Sequence, residues 1–112
     1  MNWLPLTSLS QLDLLIEKSK SQPIAIFKHS TRCSISSMAK SRLEREEASA
    51  GIEFYYLDLL AHRDISNAIA EKFSVHHESP QIILLKDGEC VYDESHSGIT
   101  MQDINEQAGI IV

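Results

Sequence analysis

The sequence predicts an α/β fold, a mixed four-stranded sheet with helices on both faces, formed by residues 1–112 as one domain. Three observations predict it. Apolar residues recur at helical spacing in several segments, short continuous apolar runs separate those segments, and an Asp-Gly pair follows the last run. Strands buried on both faces read as continuous apolar runs, and parallel neighbours need crossover helices. Asp-Gly favours a tight hairpin, so the last strand returns antiparallel.

The elements follow in order. Leu9, Leu12, Leu15 and Ile16 are spaced for one helix face, and Ser8 is placed to cap it. Pro23 closes that region, and Ile24-Ala25-Ile26-Phe27 is the first apolar run, with Lys28 reading as the strand end. Ile35, Met38, Ala39 and Leu43 form the next helical stripe, opposite Lys40, Glu44 and Glu47. Gly51 punctuates, and Phe54-Tyr55-Tyr56-Leu57 is the second strand. Ile65, Ala68, Ile69 and Phe73 line a third helix, with Asp64 as its expected cap. Ser79-Pro80 introduces the strand Ile82-Ile83-Leu84-Leu85, and Asp87-Gly88 turns it into Glu89-Cys90-Val91-Tyr92-Asp93. Gly98 breaks the chain, Thr100 and Asp103 resemble a capping pair, and Met101, Ile104 and Ala108 give the last helix its stripe. Connections between parallel strands are right-handed, so the first crossover begins at Cys33.

Composition narrows the function. A chain of 112 residues with 43% hydrophobic and 23% charged residues can bury its own core. A formal charge of −6 argues against general nucleic-acid binding. The N-terminal stretch carries no signal-peptide pattern and no spanning segment, so cytoplasmic localisation and no membrane partner are expected. Two cysteines are too few for a disulfide scaffold, and in a reducing compartment a reactive thiol is the better reading.

That thiol is Cys33. The first apolar run ends, a helical pattern begins, and Cys33 falls at the junction. Unpaired amide hydrogens and the positive end of the helix dipole favour an anion there, and the thiolate is the nucleophile of disulfide chemistry. Its neighbours Ser30, Thr31, Arg32 and Ser34 are not a core-like setting. Cys33 begins Cys-x-x-Ser, so Ser36 cannot close an intramolecular disulfide but stands where it can donate a hydrogen bond to the sulfur. A monothiol cycle follows. Arg32 and His29 are placed to add positive potential. Cys90 reads as a buried small side chain on the same strand face as Tyr92, with a resolving role as the alternative. His76, His77 and His96 read as surface histidines, with His77 or His96 lining the site as the alternative, and no spacing supports a metal site.

The organisation resembles the thioredoxin fold, with Cys33 and Pro80 in the places of its redox cysteine and its strand-initiating proline. Three segments resemble the YtxJ-type bacilliredoxins more closely: Lys28 to Ser36, Tyr56-Leu57-Asp58, and His77 to Gln81. That family commonly has proline after the cysteine, where this chain has Ser34. The resemblance implies a thiol–disulfide exchange enzyme that removes bacillithiol from client proteins, with bacillithiol as co-substrate and no bound cofactor. Its catalytic residues would be Cys33 and Ser36. Its substrate-binding residues would be Arg32, Ser34, Ser79, Pro80 and His29; the Ser79-Pro80 bond is either cis, with the Ser79 backbone free to pair with substrate, or an ordinary strand-initiating X-Pro bond. The competing readings are an iron–sulfur carrier, whose usual glycine and aromatic Ser34 and Ile35 do not match, and a redox-inert module that has kept the fold.

Overall fold

The computed structural model describes residues 2–46 and 51–109, so the expected place of Glu47 on the second helix lies outside the described residues. The order of elements is β1 (Trp3–Pro5), α1 (Leu9–Lys18), β2 (Ile24–His29), α2 (Ser34–Arg45), β3 (Glu53–Asp58), α3 (Arg63–Phe73), β4 (Gln81–Lys86), β5 (Glu89–Ser95), a 3-10 turn (His96–Gly98) and α4 (Met101–Gln107). The sheet has five strands in the order β1-β3-β2-β4-β5, not the four expected. The extra strand is three residues long and contains Pro5. Such a segment has little strand signal of its own, and β1 exists through its parallel pairing with β3, Trp3 opposite Phe54. The crossover that begins at Cys33 is therefore the second.

Alternation on the two central strands builds two cores. Ala25, Phe27, Ile82 and Leu84 point to the face covered by α2 and α4. Ile24, Ile26, Ile83 and Leu85 point to the face covered by α1 and α3. All eight are fully buried, and each such side chain contributes roughly 1.5–3 kcal/mol relative to exposure, Ala25 less.

The helix faces are partly as expected. The Ser8 hydroxyl accepts the Gln11 amide and caps α1, and Thr100 does the same for Asp103 at α4. Leu9, however, is 45% exposed, and Leu12 and Leu15 carry the contact. On α2 the buried residues are Ser36, Ala39 and Leu43, while Ile35 and Met38 are exposed. The face is rotated because Ser36 turns inward. Asp64 lies within the first turn of α3 and His62 takes the cap position without a side-chain bond.

The hairpin turn at Asp87 and Gly88 has φ of +56° and +79°, the left-handed region that Asp-Gly supplies at low cost. A register shift between Leu84 and Leu85 follows, with Tyr92 opposite Leu84 and Cys90 opposite Leu85. One residue of β5 is thereby bulged, so Cys90 and Tyr92 lie on opposite faces, contrary to simple alternation.

Candidate thiol site

Cys33 occupies the N-cap of α2 with extended backbone, and its amide donates to the Ser30 carbonyl at 3.1 Å. It is partly exposed. The first amides of α2 have no carbonyl one turn back, so they face the cap position. A sulfur with open helical amides beside it and solvent access is the arrangement thiolate chemistry needs. Arg32 and Ser34, on either side, are exposed.

The opposite wall is the start of β4. Lys28 on β2 pairs with Gln81 on β4, which sets Pro80 and Ser79 beside the His29–Ser30 end of β2. The Ser79-Pro80 peptide is cis. Pro80 is buried, and its carbonyl accepts the His96 amide at 3.1 Å. The Ser79 hydroxyl is buried and has no hydrogen-bond partner among the described residues. The 3-10 turn closes the side, because Arg42 of α2 donates to the carbonyls of His96 and Ile99.

Two expectations are corrected. Ser36 does not serve the sulfur. Its side chain is fully buried, its oxygen accepts the Ser30 amide at 3.1 Å, and it shares a 2.6 Å hydrogen bond with His29 Nδ1. It fixes the loop from which Cys33 projects. His29 is not a cation beside the sulfur either. It is 5% exposed, sits near the rings of Phe27 and Tyr56, and faces Ser36. Burial, and then the charge of Lys40, push its pKa down against the pull of Asp58 and Glu44, so it is neutral at physiological pH. Ser36→Ala leaves the His29 nitrogen and the Ser30 amide without their partner, and is expected to cost about 2–4 kcal/mol in denaturant unfolding. A variant within about 0.5 kcal/mol of the parent would show that the hydroxyl does not hold the loop.

Cys90 is excluded as a resolving cysteine within the chain. It pairs with Leu85, and Leu85 pairs with Ile24 at the start of β2. Cys33 lies past the other end of β2, about 16 Å away along the strand, while disulfides need Cα atoms roughly 4.4–6.8 Å apart. Burial also raises the Cys90 pKa, which disfavours its thiolate.

Sequence reading missed Lys28. The residue is fully buried on the α3 face of β2, and His29, not Lys28, ends the strand. Its ammonium donates to the Ser66 carbonyl at 3.2 Å and lies 3.4 Å from His77 Nδ1. Burial lowers its pKa to about 8. Lys28 directly follows the apolar run Ile24–Phe27, and nothing in the sequence marks that α3 and the segment before Pro80 enclose it.

No group of three or more histidine, cysteine or acidic side chains suited to a metal occurs among the described residues. No helix among them is long and apolar enough to cross a membrane.

Comparison with known proteins accords with this geometry. The family model for monothiol bacilliredoxin BrxC matches residues 4–104. A solved thioredoxin-fold protein, proposed to be an oxidoreductase, is 32% identical with a TM-score of 0.79, over 93% of this chain and 91% of that one. Mitochondrial thioredoxin 3 from Saccharomyces cerevisiae, in its oxidized form, is 21% identical with a TM-score of 0.69, over 97% and 95%. Oxidised thioredoxin from Plasmodium falciparum is 16% identical with a TM-score of 0.74, over 96% and 99%. The last two establish a shared thioredoxin fold.

Proposed function

The chain belongs to the monothiol bacilliredoxin BrxC family, and from that membership we propose that it removes bacillithiol from client protein cysteines through Cys33. The observation that carries the reading is a partly exposed cysteine at the N-cap of α2 with its only chain partner out of reach. The Cys33 thiolate attacks the bacillithiol sulfur of the client mixed disulfide. The client–sulfur bond breaks, the client leaves as a thiolate and takes a proton from solvent, and a Cys33–bacillithiol disulfide forms. A free bacillithiol thiolate then attacks the bacillithiol sulfur on Cys33. This yields bacillithiol disulfide and returns Cys33 as thiolate.

The backbone of Ser79, beside the cis peptide, offers an extended client segment a pairing edge. Exposed Arg32 supplies positive charge next to the sulfur for an anionic thiol. The reaction fits the reducing cytoplasm. Intact-mass measurement after mixing with a bacillithiolated protein tests the proposal. The expected product is the chain plus one bacillithiol, lost again on adding free bacillithiol. A chain that stays unmodified while the client keeps its adduct would overturn it.

A further inference from the structure

Lys28 and Gln81 are register partners at the end of the sheet where Cys33 projects. Both are buried and both reach into the segment before Pro80. The Gln81 amide donates to the His76 carbonyl at 2.9 Å and its oxygen accepts the Glu78 amide at 3.4 Å. Lys28 reaches His77, whose Nδ1 also lies 3.4 Å from the Ser66 hydroxyl. An ammonium has three N–H groups and no acceptor, so His77 Nδ1 must accept. The neutral imidazole then carries its proton on Nε2. His77 is itself exposed, and Nδ1 is the ring atom held by Lys28 and Ser66.

We propose that Lys28 is a positioning residue that fixes His77 as an Nε2–H donor beside the cis-Pro80 wall, and that this donor binds a carboxylate of the small thiol being transferred. The proposal rests on the thiol-exchange reading and names its recognition group. A buried cation without a carboxylate partner is costly for stability, and no ion pair to Lys28 occurs among the described residues. That cost is understandable where the charge serves an anion. The charged neighbours of His77 are Lys28, Glu78, Arg63 and His76. Glu78 lies 3.8 Å from both His76 and His96. Burial and the Lys28 charge both act to keep His77 neutral.

Two measurements test this. Imidazole nitrogen NMR of the parent at neutral pH is expected to show His77 as the Nε2–H tautomer, and Lys28→Met is expected to mix the tautomers. Exchange kinetics then compare client proteins carrying bacillithiol, which bears carboxylates, with the same clients carrying 2-mercaptoethanol, which bears none. His77→Ala should raise KM for the bacillithiol adduct roughly tenfold with kcat within about twofold. It should leave the 2-mercaptoethanol adduct unchanged, and His77→Gln, which keeps an N–H donor, should recover part of the loss. An Nδ1–H tautomer in the parent, or equal effects of His77→Ala on both adducts, would overturn the proposal. A parent inert toward both adducts would remove the exchange reading and the recognition role with it, while the NMR result would still report whether Lys28 orients the ring.

Discussion

Cys33→Ala accepts no bacillithiol from a client, a loss on the order of a thousandfold or more in exchange rate, while Cys90→Ser exchanges within about twofold of the parent. The contrast follows from position. Cys33 is the partly exposed thiol at the opening of α2. Cys90 sits at the other end of the sheet, on the α1 and α3 face, with its sulfur 3.5 Å from the Tyr92 carbonyl. No backbone movement short of unfolding brings the two together. Stopped-flow release of the client thiol, followed with intact mass of the chain, separates the variants. A Cys90→Ser chain that captures bacillithiol but cannot release it would make the second thiol a participant and end the monothiol cycle. Equal transfer to the parent and Cys33→Ala would end the assignment of Cys33.

The second large effect is on stability and is pH-dependent. In the folded chain Lys28 releases its proton near pH 8, against an ordinary lysine value of 10.5. Between those values the unfolded chain binds more protons than the folded one, so stability rises with pH across that window. The full gain is about 3 kcal/mol, from roughly 1.4 kcal/mol per pH unit. Lys28→Met lacks this rise. At pH 7 it is expected to be at least as stable as the parent, because an apolar side chain replaces a buried unpaired charge. Denaturant midpoints of both proteins from pH 7 to 10.5, compared as differences, cancel the tyrosines and exposed lysines that titrate in the same range. Parallel curves would mean that Lys28 keeps an ordinary proton affinity. A more stable variant with weaker thiol recognition would mark Lys28 as a residue kept for function at the expense of stability.

Much of the fold was legible because it rests on local pattern. The runs Ile24–Phe27 and Ile82–Leu85, the Ser8 and Thr100 caps and the Asp87-Gly88 turn each follow from a few neighbouring residues, and each stands in the structure. The less legible features depend on distant partners. β1 needs β3, whose paired residues lie 51 positions on, to be a strand at all. The inward turn of Ser36 needs His29, and it rotates α2 so that Ile35 and Met38 face solvent. The bulge opposite Leu84 and Leu85 reverses the face of Cys90, and no residue type announces it. In the site, Cys33 was legible from the strand-to-helix junction. The burial of Lys28 and His29 was not, because polar residues usually mark solvent and only neighbouring elements can enclose them.

By itself the sequence determined that a thiol would stand at the mouth of a helix in an α/β domain, since strand and helix periods and their junction are properties of adjacent residues. Only the tertiary structure decided which polar groups face that thiol and which face the core. Ser36, His29 and Lys28 take their roles from hydrogen-bond partners on other elements, and such partners come together only when the sheet and helices have packed.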